Sequence, residues 1–316
     1  MAEKKNAVIG FMKNNIVFAA FIILFIVFSL TTGGKFLTAS NLLSVITSSA
    51  DLLVCALGGT FIIMMGSIDL SIGSMISLCG VIVAKLYLST GNIWISVLLT
   101  LLVGIGLYFI MGMIHVQLKV PTFIASLGFL SIARALVTMI SGGTITMIDY
   151  NGSIKQIFGL RPWILVIAIG LFVIVWIIEK YTLFGRRTRL VGGDENVARL
   201  SGVNVKRQKV LVFMFAGFFA ALGGIIMAAR IGSGSPSVGE GYELDVITAV
   251  VLGGTAQVGG VGGVRGTLVG VLTIQMLANG LVLWGMPSEV QLLIKGIVVI
   301  LAVAVSTERT RNMVVK

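Results

Sequence analysis

Few side chains in this sequence are placed where they could do chemistry, and their spacing suits bracing, lining and docking better than bond-making. Asp69 and Ser71 stand in the run Gly66-Ser67-Ile68-Asp69-Leu70-Ser71-Ile72-Gly73-Ser74, between two apolar stretches. A carboxylate there must be solvated, paired or lining a wet cavity. The run reads either as a tight cytoplasmic turn or as a broken helix that offers polar backbone to a path through the protein. In both readings Asp69 can cap a helix that begins at Leu70. Arg134 lies roughly four helical turns into its apolar run and needs an acceptor. Asp51 and Asp69 are the candidates by membrane depth, either for a structural ion pair or beside a substrate contact. Gln275 and Asn279 lie four apart on one helical face, where amides glue helices together or face a wet path. Glu243 and Asp245 open the short apolar run 244–252 and suit the positive start of a half-helix.

No combination of these residues makes a nucleophile–base set or a metal cluster, so the sequence assigns no catalytic and no metal-binding residue. His115, the single histidine, sits beside Lys119 at a helix end. Cys55 and Cys79 fall inside apolar runs and read as small packing residues. The sequence contains no Gly-x4-Gly-Lys-Ser/Thr phosphate loop, so if ATP drives this protein another subunit must hydrolyse it.

One long polar stretch, 180–209, interrupts the apolar sequence. It carries Arg186, Arg187, Arg189, Arg199, Lys206, Arg207 and Lys209 against Asp194 and Glu195, which marks it as cytoplasmic by the positive-inside rule. Gly192 and Gly193 break what precedes, and Asp194 can cap a new turn. Glu195 complements the positive helix start, Arg199 the negative end, and Gly202 fits the left-handed stop. The spacing predicts a two-turn helix over 195–201, closed by Leu200 and Ser201, too short to fold without a floor or a partner.

The elements that must position these groups are membrane spans. With 57% hydrophobic and 11% charged residues, the chain lacks the polar skin of a soluble protein of 316 residues. The net charge of +11 is a matter of membrane topology, not a nucleic-acid footprint. Runs near 16–30, 42–65, 70–88, 93–113, 120–140, 162–178, 210–229, 244–252, 267–284 and 290–305 predict an all-α polytopic membrane protein of about ten transmembrane segments. One or two are broken or short, with 244–252 the foremost. That count places the N-tail 1–15 and the C-tail 306–316 in the cytoplasm, in agreement with their basic residues. Gly262, Gly266 and Gly270, four apart, allow another helix to approach closely.

Four stretches carry a resemblance, in order along nearly the whole chain. They are Gly66–Ser74 (Gly-Ser-Ile-Asp-Leu-Ser-Ile-Gly-Ser), Val120-Pro121-Thr122-Phe123-Ile124-Ala125-Ser126-Leu127-Gly128, Gly192-Gly193-Asp194-Glu195-Asn196-Val197-Ala198-Arg199-Leu200-Ser201-Gly202, and Gly241-Tyr242-Glu243-Leu244-Asp245 leading to Val251-Leu252-Gly253-Gly254-Thr255. Together they resemble the permease subunits of ATP-binding-cassette (ABC) importers of the ribose/xylose/arabinose type, the simple-sugar branch of the branched-chain-like permeases. Ser67 departs from the family pattern, in which glycine is commonest there. The resemblance implies one transmembrane permease domain over 1–316, a type II ABC importer-like fold in a bacterial inner membrane, and no cofactor held by this chain. It also implies a separate ATPase that binds ATP and magnesium, a second permease copy, and a periplasmic sugar-binding protein. The loop with Asp194, Glu195, Arg199, Leu200, Ser201 and Gly202 would be the ATPase-coupling element. For a polyhydroxy solute, Asp69, Ser71, Phe123, Gln275 and Asn279 are candidates to line the pathway, while Asp51, Arg134 and Asp245 read as structural intramembrane charges.

Two other readings compete. The solute could be a branched-chain amino acid, a nucleoside or a furanosyl signal molecule. Alternatively, an ion-coupled secondary carrier would use Asp51, Asp69 or Arg134 as a relay.

Overall fold

The computed structural model describes residues 16–149 and 152–314, so the N-tail 1–15 and the last two residues of the C-tail lie outside the described residues. The chain forms twelve α-helices there, with a short π-helix Lys155–Gly159 between the fifth and sixth: α1 Ile16–Thr31, α2 Ala39–Met64, α3 Ile72–Thr90, α4 Ile93–Leu118, α5 Thr122–Ser141, α6 Trp163–Tyr181, α7 Leu183–Gly193, α8 Glu195–Leu200, α9 Val205–Ile231, α10 Tyr242–Leu252, α11 Val264–Leu283 and α12 Ser288–Val314. Seven of them (α2 to α6, α9 and α11) are long and apolar enough to cross a membrane, and α1 is a shorter apolar helix. Helices dominate because lipid supplies no hydrogen bonds, so each span must satisfy its own backbone.

Local sequence sets the ends. Asn92 accepts from the backbone N–H groups of Trp94 and Ile95 to start α4, and Asn204 accepts from Arg207 to start α9. Left-handed glycines at 91, 142 and 232 close α3, α5 and α9. At the basic end of the chain, α12 continues through residues 306–314 as helix. Residues 183–193, read from sequence as broken before Asp194, also form a helix, started by Thr182 and carried through Gly192 and Gly193.

The centre of the bundle is α9, which packs along α4, α2 and α3. Small residues allow this: a side chain at Gly217 would come within 2.6 Å of Tyr108 Cβ on α4. Gly266 and Gly270 give α11 the same closeness to α10, where a Cβ at Gly270 would be 3.0 Å from the Gly253 nitrogen. At the end of the bundle remote from α8, a two-stranded antiparallel pair joins Thr146–Met147 to Ser233–Gly234, with Thr146 opposite Gly234.

The segment between α2 and α3 turns back into the bundle. Where α2 ends, Gly260 donates its N–H to the Met64 carbonyl at 2.8 Å. Where α3 begins, Gly73 lies against the Gly239 carbonyl, just ahead of α10. The 11 residues of α10 connect those two levels, which places them about 16 Å apart at the usual helical rise. Residues 66–71 therefore climb from the α8 side into the bundle before α3 starts at Ile72. The expected start at Leu70 is displaced by two residues. Ser71, not Asp69, occupies the N-cap position, without a side-chain cap bond.

Candidate coupling face and intramembrane polar sites

On the basic face, α8 forms as its sequence predicts. Asp194 Oδ1 accepts from the N–H groups of Asn196 (2.7 Å) and Val197 (3.1 Å). Ser201 caps the end, and Gly202 takes a φ of 80°, where the left-handed turn favours glycine. The helix is pinned from beneath: Ala198 is buried, Val203 N–H donates to the Ala198 carbonyl at 3.0 Å, and Glu195 pairs with Lys209 on α9 at 2.5 Å. Its other side is bare. Leu200 is 90% exposed and Val197 is also exposed, an unusual state for apolar residues held so firmly by their neighbours. Arg199 stands in the last turn, as the helix dipole favours.

Behind α8, Gly192 of α7 packs on the Met64 carbonyl and the Gly260 nitrogen. Beside it, Glu179 of α6 accepts from Arg189 (2.7 Å) and from the Val264 N–H (3.0 Å) that opens α11. Four helices and the glycine-rich segment 253–263 therefore meet at one junction under α8.

Inside the bundle, Asp69 is buried at the head of the re-entrant segment. Its Oδ1 accepts from Ser71 N–H (2.7 Å) and Ser71 Oγ (2.6 Å), and its Oδ2 accepts from Tyr108 Oη of α4 at 2.5 Å. Three donors on one carboxylate satisfy a charge that low dielectric would otherwise penalise. A small void beside it is lined by Gly59, Ile62, Ile63, Ile72, Val246 and Ile247.

The expected partner of Arg134 is wrong. Neither Asp51 nor Asp69 reaches it; Arg134 Nη1 donates to the Pro236 carbonyl at 3.0 Å and lies 3.6 Å from Glu240, itself 69% exposed. Arg134 is two helical turns from the end of α5 opposite to α8, so it meets the polar segment 232–241 and neither Asp51 nor Asp69. Asp51 pairs instead with Arg230 at the end of α9, at 2.9 Å. Asp51 Oδ1, Arg230 Nε, Tyr242 Oη and Glu243 Oε2 are buried without a protein partner among the described residues. Asp245 pairs with Lys295 of α12 at 2.7 Å and does not cap α10, whose N-cap is Gly241.

The pathway candidates are not brought together. Asn279 and Asn41 exchange amide hydrogen bonds of 2.9 and 3.0 Å, binding α11 to α2. Gln275 is partly buried on α11, one turn from Asn279. Phe123 is exposed at the opening of α5. Only Asp69 and Ser71 share a site.

A family model described as "Branched-chain amino acid transport system / permease component" matches residues 41–303. The chain belongs to this permease family. The permease is 38% identical over 283 residues to the ribose import permease protein RbsC of Bacillus subtilis strain 168, covering 87% of each chain. It is 35% identical over 289 residues to RbsC of Escherichia coli K12, covering 88% of this chain and 89% of that one. The xylose transport system permease protein XylH of the same strain is 29% identical over 365 residues, at 94% and 92% coverage. No solved structure matches it significantly. The permease is thus a multi-pass transporter subunit and not an enzyme.

Four residues that hold these sites escaped the sequence reading: Tyr108, Glu179, Arg230 and Lys295. Three of them carried a usable signal. Glu179, Arg230 and Lys295 are lone charges in or at the end of apolar runs, where each requires an opposite partner. Tyr108 carried none, since a tyrosine among apolar residues is ordinary packing.

Proposed function

We propose that the permease is the membrane-spanning subunit of an ABC importer for a simple sugar, a pentose of the ribose kind. A soluble binding protein delivers the sugar on one side, and a separate ATPase supplies the work on the other. The observation that carries the reading is α8: a capped, pinned two-turn helix that presents exposed Leu200 and Val197 on the basic, cytoplasmic face. The names of the relatives support ribose or xylose as the solute class. Both termini lie on the α8 side in this reading, and a second permease copy, identical or related, completes the pathway.

The contacts supply a route for the force. An ATPase that closes on ATP pushes Asp194, Glu195, Arg199, Leu200, Ser201 and Gly202 as one unit. Gly192 transmits this to Met64, at the end of α2, and to Gly260, ahead of α11. Met64 leads directly into the re-entrant segment that bears Asp69 and Ser71, the two lining candidates that share a site. Phe123 and Gln275 are further candidates for the lining, and Asn279 holds α11 to α2. The permease needs two packings of similar energy, biased by nucleotide at one face and by the loaded binding protein at the other.

The test is reconstitution with an ABC ATPase and a sugar-binding protein. Replacing 195–202 with a Gly/Ser linker should abolish ATPase capture and uptake together. Uphill movement of sugar by the permease alone, without nucleotide, would overturn the reading in favour of an ion-coupled carrier.

A further inference from the structure

A second feature of the basic face is a cavity of about 740 Å³ behind α8, lined by His115, Val116 and Lys119 of the α4 end, Glu195 and Arg199 of α8, and residues 202–206 and 209. Its titratable lining is five basic groups (His115, Lys119, Arg199, Lys206 and Lys209) against Glu195. Glu195 is engaged by Lys209 at 2.5 Å, and Lys209 Nζ also lies 3.3 Å from His115 Nε2. Lys119, Arg199 and Lys206 have no carboxylate partner among the described residues. The start of the 27-residue helix α9, through Asn204, Val205 and Lys206, opens into the same space and adds the positive end of its dipole.

We propose that this cavity binds a phosphate-bearing anion, held between the end of α4 and the coupling helix. Its position favours the headgroup of an anionic phospholipid. One wall is the last turn of α4, a helix long and apolar enough to span the membrane, so the cavity lies at the end of a candidate span, the level expected for headgroups. The ATPase is the less suitable occupant. Glu195, Arg199 and Gly202, spaced four and three apart, turn one side of α8 to the cavity, whereas exposed Val197 and Leu200 stand outside its lining. The anion therefore sits behind the lever and fixes how firmly α8 is held to α4 and α9, which makes coupling sensitive to the lipid around the protein.

The test uses the full-length permease in neutral detergent, with short-chain phosphatidylglycerol, phosphatidylcholine of the same chain length, or inorganic phosphate added separately. Binding is read by native mass spectrometry and by the shift in thermal unfolding. Phosphatidylglycerol should bind and raise the midpoint. Its affinity should fall at least about tenfold in Lys119→Asn/Lys206→Gln, as expected when charge-assisted bonds are lost. Asparagine is chosen because Lys119 has a φ of 56°, which it tolerates. Lys206→Arg should retain the effect, and Lys206→Gln alone serves if the double variant does not fold. The same response to inorganic phosphate would identify a free anion as the occupant. Equal binding of both lipids, or a response unchanged by the substitutions, overturns the proposal, as does loss of ATPase capture in the variant with no lipid or phosphate effect.

Discussion

Gly192 rests on the Met64 carbonyl so closely that no side chain fits between them, and a Cβ there would also come within 2.7 Å of the Gly260 nitrogen. This joins the polar loop to the end of α2 by backbone alone. Such a contact leaves no flexible side chain to absorb displacement, which suits a joint that must pass motion on. Gly192→Val should cost about 1–3 kcal/mol by overpacking and uncouple ATP hydrolysis from uptake. Gly193→Ala is the control, because nothing lies within 4 Å of its Cβ position. It should stay within about 0.5 kcal/mol of the parent in thermal unfolding and transport normally.

Helix α8 allows stability and the proposed docking to be separated. Leu200 is 90% exposed, so Leu200→Ser should leave the unfolding midpoint unchanged. Affinity for the ATPase, measured by titration in detergent, should drop by about tenfold or more if Leu200 is an interface anchor. Asp194→Ala removes two backbone caps, at a cost of about 1 kcal/mol. That loss should appear as faster hydrogen exchange confined to 195–201.

The carboxylate in the re-entrant segment makes a different prediction. Tyr108→Phe removes one of three donors from a buried acid and should destabilise by about 1–3 kcal/mol. Ser71→Ala removes another while the Ser71 N–H remains. Combined, the two should be non-additive, because they share one acceptor. Asp69→Asn keeps an acceptor for Tyr108, so a drop in sugar uptake larger than its drop in stability would place Asp69 in the pathway.

Much of this was legible in the sequence, and the rest was hidden for a physical reason. The cap, charges and stop of α8 are local, so Asp194, Arg199 and Gly202 announce them. The same holds for the four-residue spacing of Gly266 and Gly270, which meets the backbone of α10 as expected. Pairings such as Asp51 with Arg230, 179 residues apart, leave no periodic trace. Membrane depth alone misassigned Arg134 because its partner lies in an irregular segment whose path hydropathy does not describe. The start of α3 was placed early because Asp69 has the right type for a cap, whereas its carboxylate is turned toward Tyr108 on another helix.

The Asp51–Arg230 pair should respond asymmetrically. Asp51 is 1% exposed, whereas the Arg230 side chain is 29% exposed and can turn toward water. Arg230→Leu leaves a buried carboxylate alone and should cost about 3–5 kcal/mol. Asp51→Leu should cost less, and the double substitution should recover part of the loss, since a buried pair often contributes little over apolar packing. Equal single-variant costs in thermal unfolding would show that Arg230 is held as rigidly as its partner.

The amide exchange between Asn41 and Asn279 engages one of the pathway candidates. Each side chain gives the other a donor and an acceptor, at 2.9 and 3.0 Å, so neither has a free amide pointed at a solute. In an apolar setting such bonds between helices contribute roughly 1 kcal/mol. Asn279→Leu leaves Asn41 Oδ1 without its donor, while Asn41 Nδ2 still donates to the Phe36 carbonyl at 3.0 Å, and should lower stability by about 1–2 kcal/mol. The double substitution Asn41→Leu/Asn279→Leu removes both amides but also takes the Asn41 donor from the Phe36 carbonyl, so it should restore only part of that loss. If adhesion is the whole role, sugar uptake per folded complex is unchanged in the double variant. A double variant that is stable and assembles with its ATPase yet imports poorly would return Asn279 to the pathway.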